Sequence, residues 1–258
     1  MFERAKDIID DVARETDSVI LFHSMSGKDS IALLDLLYPR FRRVVCVFMY
    51  VVKDLEHIEV YRRWAKSRYP NAEFMDVPHY ALYSYIKHGY LGIERNPKQK
   101  QWTLSDIADK VREITGIEWV CCGFKQSDGL NRRLMLRSYG GVTGTDSQGN
   151  ERLGKEAIQW KTHKFYPLST YYNRDILDYI SQRDLKTPEC YGVAQSNGTD
   201  ITDINYLRYL ENNYPEDLER IFRVFPLARI TLLNENQKRN ETTQTERDAD
   251  SEALADQA

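Results

Sequence analysis

Paired cysteines are what this chain of 258 residues most clearly lacks. Its four cysteines form no Cys-x-x-Cys pair, so the sequence offers neither a zinc-ribbon ligand set nor a small disulfide framework. Such sparse, unpaired use is typical of a protein kept reduced. The sequence also lacks an apolar run long enough to span a bilayer, and residues 1–16 are patterned as an amphipathic helix rather than as a signal peptide. These absences predict a cytoplasmic protein with no membrane partner.

A large charge of one sign is also missing, because the formal net charge is only -3. Residues 234–258 hold 7 acidic and 3 basic residues, so this segment carries -4 and the rest of the chain +1. We predict a disordered acidic tail there, since the segment has almost nothing apolar to bury. The nearly neutral body argues against non-specific duplex binding as the main activity, although local basic clusters leave room for a basic funnel.

Apolar strand-like runs alternate with helical patterns along most of the chain. Strands are predicted at 19–22, 44–50, 73–77 and 117–122, and helices at 29–37, 56–69 and 104–115. The alternation predicts an α/β, Rossmann-like fold, in which a parallel twisted sheet has helices on both faces. We assign 1–180 to this α/β domain, 181–233 to a small helical C-terminal extension, and 234–258 to the tail. Ligands in such sheets bind beyond the carboxyl ends of the strands.

The segment that joins the first strand to its helix is the most informative one. It reads His-Ser-Met-Ser-Gly-Lys-Asp-Ser over residues 23–30. Unpaired backbone N–H groups and the positive end of the helix dipole favour an anion at such a helix start. The segment is not a Walker A loop, which needs a glycine five positions before Gly27, where this chain has Phe22. We predict a phosphate-binding loop, with an ordinary turn capped by Ser26 as the structural alternative.

The residues Gly-Lys-Asp-Ser at 27–30 resemble the PP-loop, the Ser-Gly-Gly-x-Asp-Ser signature of the adenine nucleotide alpha hydrolase-like superfamily. That superfamily includes N-type ATP pyrophosphatases, the small subunit of ATP sulfurylase and the phosphoadenylylsulfate (PAPS) reductases. Gly27 matches the second glycine of the signature, whereas Met25 replaces its first serine and Ser26 its first glycine. Ser24 is the residue that would supply the missing hydroxyl.

Two later segments resemble the PAPS reductase and ATP sulfurylase group in the same order. Gly123-Phe124-Lys125 is similar to the group's Gly-x-Arg, with Lys125 as a point charge in place of the bidentate arginine. The segment 166–180, Tyr-Pro-Leu followed by Asp-Ile-Leu-Asp-Tyr-Ile, is similar to the group's segment beyond the sheet. Three ordered resemblances over residues 19–180 are harder to obtain by chance than a lone loop.

The resemblance implies that the loop binds ATP, or PAPS, with Mg²⁺, and that ATP is cleaved between its α and β phosphates to activate an acceptor. It implies Lys28, Asp29 and Lys125 as catalytic residues, with Asp29 as the metal ligand. We expect nucleotide-binding residues on the loop and beyond the second and fourth strands: Ser24, Met25, Ser26, Gly27, Lys28, Asp29, Ser30, Met49, Tyr50, Gly123, Arg132 and Arg133.

The acceptor, a small molecule or a nucleic acid, is not identified by the sequence. Its contacts would come from variable loops at 80–102 and 140–159, the second of which is read as a loop or hairpin covering the site. Three histidines near strand ends, His23, His57 and His79, leave the general base unassigned. A homo-oligomer or a partner protein remains open.

A thiol-dependent PAPS reductase is the main alternative. In that family a cysteine of a C-terminal Glu-Cys-Gly-Leu-His motif attacks the sulfur, and here only Cys190, within Glu-Cys-Tyr-Gly, partly resembles it. Reductases with an iron–sulfur cluster carry a Cys-Cys pair and a later Cys-x-x-Cys. This chain has Cys121-Cys122 without the second pair, so no iron–sulfur cluster is expected. A third interpretation is a nucleotide-sensing module without chemistry. A fourth, which the DNA phosphorothioation relatives of this group suggest, is sulfur or acyl transfer to nucleic acid together with a partner protein.

Overall fold

The computed structural model describes residues 2–25, 27–140, 142–145, 151–153, 157–187 and 201–237. Its strands are β1 (Ser18–Phe22), β2 (Arg43–Tyr50), β3 (Ala72–Pro78), β4 (Val120–Cys121), β5 (Val142–Thr145), β6 (Glu151–Leu153), β7 (Ile158–Gln159) and β8 (Lys164–Phe165). Its helices are α1 (Glu3–Ala13), α2 (Lys28–Leu37), α3 (Glu56–Arg68), α4 (Tyr80–His88), α5 (Leu104–Thr115), α6 (Leu130–Arg137), α7 (Asn173–Gln182), α8 (Ile204–Asn213) and α9 (Pro215–Val224). Residues 228–237 are also helical.

The central sheet has six strands in the order β3-β2-β1-β4-β8-β7. Its first five strands pair in parallel. The predicted α/β fold with a mostly parallel sheet is therefore confirmed. One correction applies at the edge, where β7 pairs antiparallel with β8. Two paired residues joined to β8 by a short turn give too little apolar pattern to be recognised as a strand in advance.

The two faces of the sheet are covered by different helices, as β2 illustrates. Val44 and Cys46 belong to one core with α1, α2, α3 and the C-terminal helices. Val45 and Val47 belong to a second core with residues of α5 such as Val111. Successive side chains of a strand point to opposite faces, so a continuous apolar run indicates a strand that is covered on both sides.

Two segments that were predicted to be variable loops, 80–102 and 140–159, contain regular secondary structure. β5 and β6 pair antiparallel, so the predicted loop or hairpin at 140–159 contains a hairpin. The segment 80–102 begins with α4, a helix that the sequence analysis missed. None of its residues is fully buried, and its aromatic residues have only moderate helix propensity, so neither the apolar periodicity nor the composition marked it.

One carboxylate of α9 caps the start of α3. Leu55 precedes that helix and makes no side-chain capping bond. Asp217 instead accepts the N–H groups of Glu56 and His57 at 2.8 and 3.0 Å, and its Oδ2 lies 2.8 Å from Nδ1 of the His57 ring. The other ring nitrogen of His57 lies 3.1 Å from the Tyr206 hydroxyl. The cap of α3 is therefore supplied from the other end of the chain.

The proposed domain limits remain predictions. Helix α7 ends at Gln182, close to the predicted limit at 180, and residues 234–237 continue the helical stretch that starts at 228. Residues 238–258, most of the predicted tail, lie outside the described residues, as does Cys190. No helix in the described part of the chain is long and apolar enough to cross a membrane.

Candidate functional site

The loop between β1 and α2 is closed by its own two serines. The Ser30 hydroxyl donates to the Gly27 carbonyl at 2.9 Å and accepts the Ser24 N–H at 3.2 Å. The Ser24 hydroxyl lies 3.1 Å from that of Ser30. The amide of Ser24 is thus used inside the loop, which leaves the first turn of α2 as the source of N–H groups for an anion.

Met25 explains how the loop departs from the PP-loop signature. Its backbone is left-handed, with a φ of 59°, and its side chain is fully buried in the main core. Its N–H donates to Nδ1 of His23 at 2.9 Å. Burial, followed by the positive charge of Arg62, lowers the pKa of His23 to about 3, so this imidazole stays neutral and keeps accepting. At the position of the first serine of the signature, this chain therefore has Met25, whose side chain packs into the hydrophobic core.

Gly27 allows the two serines to meet. Its φ is -89°, which any residue adopts, so the requirement for glycine is steric. A Cβ atom at this position would lie 2.2 Å from the Ser24 hydroxyl oxygen. The glycine of the signature is thus retained here because the Ser24 side chain crosses directly over it.

We expect Gly27→Ala to open the loop and weaken phosphate binding by more than about tenfold, since one hydroxyl contact must break and the N–H groups of α2 move. Titration calorimetry with ATP measures the effect. The double variant Gly27→Ala, Ser24→Ala removes the clashing oxygen and is expected to recover much of the affinity. Wild-type affinity in the single variant would contradict this role of Gly27.

Four charged side chains form a cluster beside the loop. Nζ of Lys125 lies 2.8 Å from Oδ2 of Asp29 and 2.9 Å from Oδ1 of Asp128. Nζ of Lys28 donates to the same Asp29 oxygen at 3.1 Å. The Lys125 side chain is 1% exposed, and Oδ1 of Asp29 is buried without a hydrogen-bond partner. The cluster is formally neutral and keeps one carboxylate oxygen unused.

A cleft of about 310 Å³ lies at the carboxyl ends of the strands, where the sheet predicts a ligand. Its lining combines residues of the loop between β1 and α2, residues of β2, and residues that follow β3 and β4: Phe22, His23, Ser24, Gly27, Asp29, Ser30, Val47, Met49, His79, Tyr80, Leu104, Cys122, Gly123, Phe124, Asp128 and Arg132. Apolar walls next to polar loop atoms suit a molecule that has an apolar ring and an anionic end.

The structure brings together seven of the residues predicted to bind nucleotide. The ones that line the cleft are Ser24, Gly27, Asp29, Ser30, Met49, Gly123 and Arg132. Lys28 and Lys125 do not line the cleft themselves, but both contact Asp29, which does. Met25 is buried below the loop, Tyr50 packs under Lys53, and Arg133 is exposed on α6 away from the lining. Ser26 lies outside the described residues.

Several residues of the cleft wall were not among those predicted to bind nucleotide. Phe124 carries the guanidinium of Arg132 at 3.6 Å from its ring centroid, so the two form one flat wall. His79 and Tyr80 follow β3 as the N-cap and the first residue of α4, with ring centroids 4.2 Å apart. Phe124, His79 and Tyr80 all come shortly after predicted strands, and this position is a signal for a ligand site. Their residue types alone did not show whether they line a cleft or lie on the outer surface.

The thiols of the described residues are buried. Cys46, Cys121 and Cys122 are free and buried, and burial raises the pKa of Cys122, which lines the cleft, to about 12. A thiol in this state is a poor nucleophile. The reductase alternative therefore depends on Cys190, which lies outside the described residues.

Some solved structures have a fold similar to that of this chain. No family model matches the chain, and no curated protein matches it. Among solved structures, the chain is similar to the tRNA thiolase NcsA of Methanococcus maripaludis, with 16% identity, a TM-score of 0.46, and 89% of this chain and 78% of that one covered.

Two further structures are similar. The PAPS reductase of Candida auris, in a phosphate complex, matches at 12% identity and a TM-score of 0.44, with 72% and 82% covered. The NAD synthetase of Campylobacter jejuni, with a nitrate ion, matches at 14% and 0.44, with 89% and 93% covered. All three are enzymes of the PP-loop superfamily. That is the superfamily which the sequence resembles, and at these identities the likeness concerns the fold alone.

The expectation about iron–sulfur clusters needs correction. The M. maripaludis thiolase carries a 4Fe-4S cluster, so the expectation of no cluster was wrong as a guide to chains of this fold. Within the described residues of this chain, no three His, Cys, Asp or Glu side chains lie together as a ligand group.

Proposed function

We propose that the chain binds ATP in the cleft and cleaves it between the α and β phosphates, so that an acceptor is adenylylated and pyrophosphate is released. The observation that carries this proposal is the loop that Ser24, Gly27 and Ser30 close at the start of α2, with Lys28 and Lys125 beside it. It supports an anionic ligand, because the start of α2 lies at one end of a cleft with apolar walls, with Lys28 and Lys125 held beside it by Asp29.

Phosphate binding is proposed at the first turn of α2. The amides of residues 27–30 have no helical partner by the geometry of a helix start, and the dipole favours negative charge there. A phosphate bound at this point would offer Lys28 one of its oxygens, and this oxygen would replace Asp29 as the hydrogen-bond partner of the Lys28 ammonium. The apolar wall of Phe22, Val47 and Phe124 remains for the base.

Asp29 is proposed to hold Mg²⁺ that arrives with ATP. One carboxylate together with phosphate oxygens and water is a common way for proteins to bind this ion. The residues fit, because Oδ1 of Asp29 is buried without a partner and the residue lines the cleft. The ion would neutralise charge that develops on the phosphates. Lys125 holds the other oxygen of Asp29 and so fixes the orientation of the carboxylate.

In the proposed step, a nucleophilic atom of the acceptor forms a bond to the α phosphorus while the bond from that phosphorus to the bridging oxygen breaks. The electron pair and the negative charge leave with pyrophosphate, close to Lys28 and the start of α2. The acceptor's proton leaves to solvent or to a base of the acceptor. Catalysis then rests on alignment and on charge stabilisation rather than on a protein nucleophile.

Incubation with ATP labelled at the α phosphate, with and without candidate acceptors, tests the reaction. AMP or adenylylated acceptor together with pyrophosphate supports the proposal, and ADP with phosphate contradicts it. Release of sulfite from PAPS with a thiol donor would support the reductase instead. Nucleotide binding without any turnover would support the sensing module.

Asp29→Asn is expected to remove the Mg²⁺ dependence of ATP binding, because the amide oxygen is a weaker ligand and Oδ1 loses its charge. We expect about a tenfold loss of affinity in the presence of Mg²⁺ and little change in EDTA, measured by calorimetry. Asp128→Asn is the matched control. It lines the same cleft and also contacts Lys125, but both of its oxygens bond to that lysine. Equal Mg²⁺ dependence in wild type and Asp29→Asn would exclude Asp29 as the ligand.

A further inference from the structure

His79 stands at the end of β3 with one of its two ring nitrogens already in use. Its backbone N–H donates to the Tyr50 carbonyl at 2.8 Å, which fixes the residue against the neighbouring strand. Its Nδ1 accepts the N–H of Ala81 at 3.1 Å and so caps α4. The ring lies against Tyr80 and lines the cleft. Only the Nε2 side of the ring remains for a ligand.

The capping contact decides which nitrogen carries the proton. A neutral imidazole has one N–H and one lone pair, and Nδ1 must keep its lone pair in order to accept from Ala81. The proton is therefore on Nε2. Burial lowers the pKa of His79, which favours this neutral form. Among the described residues, no hydrogen bond is made to Nε2, so the cleft contains an N–H donor that the fold itself does not use.

His23 provides an internal comparison. It follows β1 as His79 follows β3, and its Nδ1 likewise accepts the N–H of the residue two positions later. Its side chain is fully buried, and its Nε2 lies 3.4 Å from the hydroxyl of Tyr61. The same contact, from a backbone N–H to Nδ1 of the histidine two positions earlier, therefore occurs after both strands. Nε2 of His23 faces the core, whereas the half-buried His79 ring borders the cleft.

We propose that His79 binds the ligand through Nε2–H, which donates a hydrogen bond to an uncharged oxygen or nitrogen of the nucleoside part of the bound nucleotide. The assignment rests on the proposed function. β3 lies two strand spacings, about 10 Å, from β1, so His79 is too far from the α2 start to serve the terminal phosphates. With its lone pair committed to α4, the ring is a donor and not the general base.

Two substitutions separate the cap from the donor. Asparagine places its Oδ1 where Nδ1 stands and can accept the Ala81 N–H, but it ends short of the Nε2 position. Glutamine extends an N–H group towards the Nε2 position but forms this local cap poorly. We expect His79→Asn to keep the wild-type melting temperature and to bind ATP about tenfold more weakly. We expect His79→Gln to melt earlier and to bind ATP within about threefold of wild type.

The measurements are calorimetry with ATP and thermal melting of each variant. Wild-type affinity in His79→Asn would overturn the donor role. Weaker binding by His79→Gln than by His79→Asn, compared at temperatures where both are folded, would overturn it as well.

Nitrogen-15 NMR of the imidazole rings reads the tautomer directly. The His79 signals are those missing from His79→Asn among the five histidines. We expect a protonated Nε2 and an unprotonated Nδ1 at neutral pH, and a shift of the Nε2 signal when ATP is added. The groups that share the cleft and contribute charge are Asp29, Asp128 and Arg132. ATP binding with the reversed tautomer would overturn the His79 proposal alone, whereas a wild-type protein that binds no nucleotide would overturn the proposed function and the ligand assigned to His79 with it.

Discussion

Lys125→Met is expected to lower the free energy of unfolding by about 3 kcal/mol. The substitution removes a buried ammonium, so Asp128 loses its cation and Asp29 keeps only Lys28, whose Nζ lies 3.1 Å from its Oδ2. The estimate lies at the low end for a broken buried pair because these carboxylates are 24% and 33% exposed, so water compensates them in part. Urea unfolding followed by circular dichroism measures the change.

The control for this substitution is Lys110→Met, which breaks an ion pair with Glu113 on the surface of α5. A change of less than about 1 kcal/mol is expected there, since exposed pairs contribute little. Adding Asp128→Asn to Lys125→Met should recover stability, because it removes the carboxylate that the loss of Lys125 leaves without a cation. Equal effects of Lys125→Met and Lys110→Met would show that the buried cluster does not stabilise the fold.

Asp217→Ala is expected to lower the free energy of unfolding by about 3–5 kcal/mol. The carboxylate is fully buried, and its loss leaves two amides at the start of α3 and the ring of His57 without their acceptor. Glu216→Ala, at an exposed position in the same helical turn, should change stability by less than about 1 kcal/mol. Matching urea midpoints for the two variants would contradict the capping role.

The contribution of Asp217 also has a definite dependence on pH. Burial acts to raise the pKa of Asp217, but hydrogen bonds from the His57 side chain and from the amides of His57 and Glu56 outweigh it, so the pKa lies below its ordinary value. A carboxyl group with a lowered pKa stabilises the folded state above the pKa of the unfolded chain, and this stability is lost as the pH falls through the folded value. Wild type should therefore lose stability below about pH 4, and Asp217→Ala should show a shallower loss over the same range.

Much of the fold could be predicted because the first strands carry strong local signals. The apolar runs of β1 and β2 and the cap at Gly116 locate their elements to within one or two residues. Helix α4 was not found, since most of its nine residues are apolar or aromatic and no polar face contrasts with them in the sequence. The two-residue strand β7 depends on pairing with β8, which is a tertiary property.

The candidate site shows the same division. The position of the loop follows from the change between an apolar strand and a polar turn, and Gly27 and Asp29 follow with it. The direction of each side chain could not be predicted, because it depends on which partners the folded chain places beside it. Lys28 turns to Asp29, Tyr50 faces Lys53, and Arg133 stays on the outer face of α6. The roles of these predicted residues remain predictions.

The cap that Asp217 provides has a consequence for the order in which this protein folds. It joins residues 160 positions apart, and it secures the loop that follows β2, next to the Met49 wall of the cleft. During synthesis β1 and the loop that follows it emerge early, but α3 gains its cap only after α9 has left the ribosome and docked. A contact between such distant residues is slow to form. The start of α3 is therefore capped near the end of folding, although the loop between β1 and α2 is among the first segments to be made.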